Sequence, residues 1–166
     1  MAAPRKVLIV GAGGRMGLAM ARLIAQRAVP GLELVAAVDR AGAPLLGQDA
    51  GVAAGVPALG VVLGADLAAG LAARPDVAVD FSSPSAVAAT AAQVVAAGVP
   101  WVVGTTGLGA AEQAAVAQAA HQIPVVLSAN MSLGVNLLYA LVAQAARTLA
   151  GLRYDCEIIE RHHRRK

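Results

Sequence analysis

Residues 7–17 read VLIVGAGGRMG, and this stretch near the start of the chain indicates the fold class. The first four residues form an unbroken apolar run, which is typical of a strand buried on both faces of a parallel sheet. The glycines allow a tight turn, and the helix-forming residues after them predict a helix over residues 14–27. This order of strand, glycine turn and helix predicts the opening unit of an α/β fold.

The same alternation continues along the chain. Further strands are predicted at residues 34–38, 77–81, 101–103 and 124–127, and further helices at 66–73, 84–97, 110–122 and 132–149. Residues 40–64 are rich in Gly and Pro and predict a long loop with short helical pieces at most. Strands separated by helices of this length predict a Rossmann-like, doubly wound parallel sheet with right-handed crossovers.

Composition narrows the class of protein. Hydrophobic residues make up 58% of the chain but aromatic residues only 2%, so the core is expected to consist of Ala, Val and Leu. Of the 13 basic residues, four lie in 161–166, and residues 1–160 are therefore near neutral. We expect no nucleic-acid partner, because a short basic tail without stacking aromatics is typical of solvated sequence.

Two further features bear on location. The most apolar stretch, residues 50–73, is interrupted by Pro57, Asp66 and several glycines, so no membrane span is expected. Cys156 is the single cysteine, which excludes an intrachain disulfide and fits a reducing compartment. We therefore expect a cytoplasmic protein.

The glycine turn has glycines at positions 11, 13, 14 and 17. The strict pattern G-x-G-x-x-G fails because its third glycine position is Met16, whereas a looser Gly11-x-x-Gly14-x-x-Gly17 pattern fits. In both patterns the glycines let backbone N–H groups approach a pyrophosphate at a helix N-terminus. The turn therefore predicts a dinucleotide site, and the alternative is a tight turn that binds no ligand.

Asp39 ends the second predicted strand, where a carboxylate can accept both ribose hydroxyls of an adenosine. That favours NADH as cofactor. Arg40 beside it suits the 2′-phosphate of NADPH, so both dinucleotides remain open. The alternative is an acidic residue that only closes a strand.

Two later strand ends carry small polar residues. They are Gly104-Thr105-Thr106-Gly107 and Ser128-Ala129-Asn130-Met131, and both lie where the nicotinamide half of a dinucleotide is expected, because ligands bind beyond the carboxyl ends of parallel strands. The segment DFSSP at residues 80–84 is similar, although its serines suit helix capping as well. Each segment taken alone is equally compatible with an ordinary loop.

The last residues, 160–166, read ERHHRRK and follow a predicted strand over residues 154–159. A histidine exchanges protons near neutral pH, and a lysine binds carboxylates or stabilises negative charge, so His162, His163 and Lys166 are candidate site residues. A metal site is not expected, because adjacent histidines on a strand point to opposite faces. The alternative is a disordered basic tail.

Together these segments resemble the dihydrodipicolinate reductase family, whose members are also called 4-hydroxy-tetrahydrodipicolinate reductases. The matching pieces appear in the family's order, at residues 11–17, 80–84, 104–107, 128–132 and 160–166. The resemblance implies hydride transfer from NADH or NADPH to a cyclic unsaturated dicarboxylate in lysine and diaminopimelate biosynthesis.

The resemblance also implies roles for individual residues. The pyrophosphate would lie against Gly11, Ala12, Gly13, Gly14, Arg15 and Met16, and the adenosine ribose against Asp39 and Arg40. The nicotinamide side would comprise Gly104, Thr105, Thr106, Ser128, Ala129, Asn130 and Met131. His162 would be a proton donor or acceptor, Lys166 the proton donor, and His163 a substrate contact.

The chain departs from the family pattern after Lys166, where an Asp-Ala-Pro-Ser-Gly-Thr segment and the rest of a substrate domain are expected. The family forms homotetramers through that domain. We therefore interpret residues 1–131 as a dinucleotide-binding domain and residues 132–166 as the start of a substrate domain, in a fragment that binds dinucleotide but has impaired turnover. The alternatives are a stand-alone dinucleotide-binding module and another Rossmann oxidoreductase.

Overall fold

The computed structural model describes residues 3–152, 154–155, 157–159 and 161. The chain forms two compact units, Met1–Ala129 and Asn130–Lys166. In the first unit the described strands are β1 Arg5–Val10, β2 Leu32–Val38, β3 Leu63–Gly64, β4 Val77–Asp80, β5 Trp101–Val103 and β6 Val125–Leu127. Its described helices are α1 Arg15–Ala25, α2 Ala50–Ala53, α3 Leu67–Ala72, α4 Pro84–Ala97 and α5 Ala110–Ala120.

The six strands form one sheet in the order β3-β2-β1-β4-β5-β6, and every neighbouring pair is parallel. This is the Rossmann strand order, and it confirms the predicted doubly wound sheet. The central strand β1 ends at Val10, which lies opposite Val38 of β2 and Asp80 of β4. The carboxyl ends of three strands therefore meet at one edge of the sheet.

Alternate residues of β1 enter different cores because successive side chains of a strand point to opposite faces. Leu8 and Val10 join a cluster with residues of α3, α4 and α5, whereas Val7 and Ile9 join a cluster with residues of α1 and α2. Both clusters consist mainly of Ala, Val and Leu, as the composition predicted. The apolar run at residues 7–10 is thus buried on both sides.

The segment between β2 and β3 is organised by one side chain. Asp49 caps α2, and its carboxylate accepts hydrogen bonds from the backbone N–H groups of Gly51, Val52, Leu59, Gly60 and Val61. The Leu59 N–H is the largest cause of a lowered pKa at Asp49. The predicted long loop with a short helix is confirmed here, although the two-residue strand β3 at its end was not predicted.

The second unit contains α6, Leu133–Leu149, which confirms the helix predicted there. The Ser132 hydroxyl caps it by accepting a hydrogen bond from the Val135 N–H. No residue of α6 is buried.

The strand predicted at residues 154–159 is wrong for the described residues of that range, none of which is in a strand. A strand requires a neighbouring strand for its backbone hydrogen bonds. The side chains of Ile158 and Ile159 are instead exposed. In the part of the chain that the structure describes, no helix has both the length and the apolar character needed to cross a membrane.

Candidate functional site

A cleft of about 540 Å³ lies at the carboxyl ends of β1, β2 and β4. Because the chain leaves β1 towards β2 on one side and continues from β4 to β5 on the other, this is the switch point where ligands bind in open α/β sheets. The cleft is lined by Val10, Gly11, Gly14, Val38, Asp39, Arg40, Ala65, Leu67, Phe81, Ser82, Ser83, Ser85, Ala86, Ala89, Thr90 and Gln93.

The glycine turn between β1 and α1 follows the looser of the two sequence patterns. Gly11 has a φ of 78°, and a Cβ there would lie 2.6 Å from the carbonyl oxygen of Phe81. A Cβ at Gly17 would overlap the backbone of Gly11 and Ala12, so α1 packs directly on the turn. The Met16 side chain is half exposed, so position 16 does not require glycine. Gly17 therefore provides the close packing that the strict pattern assigns to its third glycine.

The N-terminus of α1 presents three unpaired backbone N–H groups. The N–H groups of Gly11 and Ala12 donate to the Val38 carbonyl, and that of Gly14 donates to the Gly11 carbonyl. The N–H groups of residues 15–17 have no acceptor among the described residues. Gly14 caps the helix without a side-chain hydrogen bond, and the first turn has no acidic residue. These features, together with the helix dipole, favour an anion at this position.

Asp39 makes contacts that the sequence did not predict. Its Oδ2 accepts a hydrogen bond of 2.7 Å from the Gly13 N–H, and its Oδ1 accepts one of 2.7 Å from the Arg40 N–H. The carboxylate lines the cleft, as expected for a ribose contact, but it also joins the end of β2 to the glycine turn. Each oxygen retains a further lone pair for a ligand hydroxyl.

Arg40 lines the same end of the cleft and is exposed. Its guanidinium has no hydrogen-bond or ion-pair partner within the described residues. A free guanidinium next to the predicted ribose position is the group that a 2′-phosphate requires. Asp39 and Arg40 together therefore suit either dinucleotide.

A buried carboxylate lies on the β4 side of the sheet. Asp80 is fully buried, and its Oδ1 accepts hydrogen bonds from the Ser82 N–H at 2.8 Å and from the Thr105 hydroxyl at 3.0 Å. Its Oδ2 has no hydrogen-bond partner in the described part of the chain. A buried carboxylate depends on its hydrogen bonds, so the donors Ser82 and Thr105 fix the position of Asp80 at the end of β4.

Asp80 also connects the ends of β4 and β5. The Gly104 N–H donates to the Asp80 carbonyl, and the ring of Phe81 lies on Gly104 so closely that a Cβ there would overlap it. Thr105 is buried and directed at Asp80 rather than lining the cleft.

The structure brings together four of the predicted cofactor residues, Gly11, Gly14, Asp39 and Arg40, in the wall of the cleft. The wall does not include Ala12, Gly13, Arg15, Met16, Gly104, Thr105, Thr106, Ser128 and Ala129, which lie elsewhere in the first unit. The catalytic and substrate candidates His162, His163 and Lys166 lie outside the described residues.

Asn130 and Met131 belong to the second unit. Within that unit, Asn130 accepts hydrogen bonds from the Ser132 N–H and from the Asn136 side chain. These contacts brace the start of α6.

The α4 wall of the cleft was missed at the sequence level. It comprises Ser85, Ala86, Ala89, Thr90 and Gln93. Residues 86, 89, 90 and 93 recur at the spacing of one helical face, and their small or polar side chains were the available signal.

The parallel sheet, the glycine turn and the acid at the end of β2 place the molecule in the class of Rossmann-type nucleotide-binding folds. The family model described as dihydrodipicolinate reductase, N-terminus, matches residues 5–131. The chain belongs to the dihydrodipicolinate reductase family, as its motifs predicted.

Curated relatives agree with this assignment. The chain is 51% identical over 161 residues to the 4-hydroxy-tetrahydrodipicolinate reductase of Anaeromyxobacter dehalogenans strain 2CP-1, covering 97% of this chain and 58% of the relative. It is 48% identical to the enzyme of that name from Halorhodospira halophila strain DSM 244 / SL1, covering 95% of this chain and 58% of the relative. The chain thus spans less than two thirds of the length of these relatives.

A solved structure shows the same fold. Dipicolinate-bound dihydrodipicolinate reductase from Paenisporosarcina sp. TG-14 superposes with a TM-score of 0.66 at 23% identity, over 86% of this chain and 54% of that one.

Proposed function

We propose that this chain provides the dinucleotide-binding part of a 4-hydroxy-tetrahydrodipicolinate reductase, which forms tetrahydrodipicolinate with NADH or NADPH in lysine and diaminopimelate biosynthesis. The observation that carries the proposal is the set of N–H groups of residues 15–17, which have no acceptor within the described chain and directly follow Gly14 in the cleft wall. The names of the curated relatives supply the reaction.

The residues present fit a dinucleotide. The turn from Gly11 to Met16 and the N-terminus of α1 would hold the pyrophosphate, and Asp39 and Arg40 the adenosine ribose. The nicotinamide side would comprise Gly104, Thr105, Thr106 and the segment from Ser128 to Met131. A bound reduced dinucleotide supplies a hydride.

The reaction also requires a proton donor, and we assign this role to residues near the end of the chain. His162 would exchange a proton with the substrate, Lys166 would donate one, and His163 would contact the cyclic dicarboxylate. Residues 1–131 would form the dinucleotide domain and residues 132–166 the first part of a substrate domain. We further propose a cytoplasmic location, and we expect the family's homotetramer only for chains that carry the complete substrate domain.

The dinucleotide site is tested by placing a negative charge where the pyrophosphate is proposed. Met16→Glu adds a carboxylate in the first turn of α1, and Ala19→Glu adds the same charge at an exposed position one turn later. We expect Met16→Glu to weaken NADH binding about tenfold or more while stabilising the helix by about 0.3–1 kcal/mol through its dipole. Ala19→Glu should bind as the parent does. Equal affinities for all three proteins in a fluorescence titration would contradict the proposal.

The catalytic assignment requires its own variants. His162→Ala and Lys166→Ala should leave NADH affinity unchanged but abolish any substrate-dependent NADH oxidation that the parent chain shows. Unchanged turnover in both variants would contradict the assigned roles.

A further inference from the structure

We propose that Asp39 is a positioning residue that holds the glycine turn in the shape that receives a pyrophosphate, independently of any contact with ribose. The inference rests on the proposed function, because it concerns how the same turn binds a dinucleotide. It differs from the role predicted from the sequence, in which Asp39 only accepts the ribose hydroxyls.

The Asp39 carboxylate is hydrogen-bonded to the backbone through both of its oxygens. Both of its oxygens accept short hydrogen bonds from backbone N–H groups, those of Gly13 and Arg40. The bond to Gly13 links residues 26 apart in sequence and joins the end of β2 to the turn that follows β1. A hydrogen bond to a charged acceptor is stronger than one between neutral groups, so it restrains the turn before any ligand arrives.

Residue 13, which donates one of these hydrogen bonds, is a glycine. Gly13 does not have a positive φ, so its backbone conformation alone does not require glycine. A Cβ at this position would lie 2.8 Å from Asp39 Oδ2, whereas the next nearest atoms, Asp39 Cγ and Leu45 Cδ1, are 3.7 Å away. The Asp39 carboxylate is therefore the group that a side chain at residue 13 would displace.

The restrained residue lies next to the N-terminus of α1. Gly13 immediately precedes Gly14, the N-cap of α1, whose N–H closes the turn on the Gly11 carbonyl at 3.1 Å. The unpaired N–H groups of residues 15–17 follow directly. Loss of the hydrogen bond from Gly13 to Asp39 would let the turn move, and those N–H groups would no longer be held in alignment. Every ligand that carries the phosphates would then bind less tightly.

The proposal is tested with two nucleotides that differ only in the ribose hydroxyls. ADP carries both hydroxyls, and 2′,3′-dideoxy-ADP carries neither. We expect Asp39→Ala to weaken binding of both nucleotides about tenfold, and Asp39→Asn to restore much of the loss because its amide oxygen accepts the Gly13 N–H. Weaker binding of ADP with unchanged binding of the dideoxy nucleotide would overturn the proposal.

Gly13→Ala supplies a second variant that leaves Asp39 in place. The flexible carboxylate can move away from the new Cβ, so we expect this protein to fold and to bind both nucleotides less tightly. In an Asp39→Ala background the same change should cause no further loss of affinity, because the group it displaces is already absent. An equal loss in both backgrounds would overturn the proposal.

A measurement without ligand separates this inference from the proposed function. We expect amide hydrogen exchange at Gly13 to be about tenfold faster in Asp39→Ala than in the parent chain. If the parent chain bound neither nucleotide, the proposed function would fail, and faster exchange in Asp39→Ala would still support the positioning role of Asp39. Unchanged exchange at Gly13 would overturn that role whether or not nucleotides bind.

Discussion

The two units of the chain bury their apolar side chains to different extents. In the first unit Leu8 and Ile9 are fully buried and Trp101 is 1% exposed, because the sheet offers two faces and helices cover both. In the second unit α6 has no buried residue, and Leu137 is 58% exposed. Both units have helices where the sequence predicts them. Runs of helix-forming residues therefore predict local structure in each unit. Only the first unit has a sheet against which its helices bury apolar side chains in a core.

The largest change in the free energy of unfolding is expected when a leucine is replaced by alanine in the first unit, with the same replacement in the second unit as the comparison. Leu8→Ala should lower the free energy of unfolding by about 2–5 kcal/mol, because it leaves a cavity in the core. Leu137→Ala should change it by less than about 0.5 kcal/mol. Denaturant unfolding followed by far-UV circular dichroism measures the helices of both units, and the fluorescence of Trp101, the single tryptophan, measures the first unit alone. A loss above about 2 kcal/mol for Leu137→Ala would contradict the exposure of that side chain.

The next effect concerns two glycines with the same backbone conformation. Gly11 and Gly31 both have a φ of 78°, but a Cβ at Gly11 would meet the backbone of Phe81 and Ser82, whereas none of the described atoms lies within 4 Å of one at Gly31. Gly31→Ala should cost about 1–2 kcal/mol for the left-handed conformation alone. Gly11→Ala should cost about 1–3 kcal/mol more and abolish dinucleotide binding. Equal losses of stability would show that the turn is not pressed against β4.

A smaller effect is expected at the buried carboxylate. Asp80→Ala leaves the Ser82 N–H without its acceptor and the Thr105 hydroxyl with only the Asp80 carbonyl oxygen at 3.5 Å. It should lower the free energy of unfolding by about 1–3 kcal/mol. Asp80→Asn keeps an acceptor oxygen and should cost less. The same unfolding measurement distinguishes them. If Asp80→Asn were as unstable as Asp80→Ala, the charge of Asp80 and not its acceptor geometry would hold the ends of β4 and β5 together.

The smallest effect at neutral pH is expected at Asp49, whose pKa in the folded protein lies below the ordinary value of 3.8, chiefly because of the Leu59 N–H. A lowered folded pKa gives stability that is present above the unfolded pKa and is lost as the pH falls through the folded one. The parent chain should therefore be more stable than Asp49→Asn at pH 7 and pH 5, and the difference should narrow below about pH 4. A difference that stayed constant down to pH 2 would contradict this.

The sequence predicted most of the first unit because its signals are local. The apolar run at residues 7–10 and the glycines after it act within a few residues, and the structure confirms the strand and the turn that they predicted. The hydrogen bond between Gly13 and Asp39 joins residues 26 apart, and the one between Thr105 and Asp80 joins residues 25 apart. Local sequence patterns do not predict such contacts. The strand predicted at residues 154–159 is not found among the described residues of that range, because a strand-like local sequence does not supply a neighbouring strand.

The proposed function places the pyrophosphate of a dinucleotide at the N-terminus of α1. Recording the backbone amide resonances of the chain while NADH is added tests this placement. We expect the largest shifts at residues 15–17, whose N–H groups are unpaired within the described structure, and little change along α5. Saturable binding of NADH that left those three amides unmoved would contradict the claim.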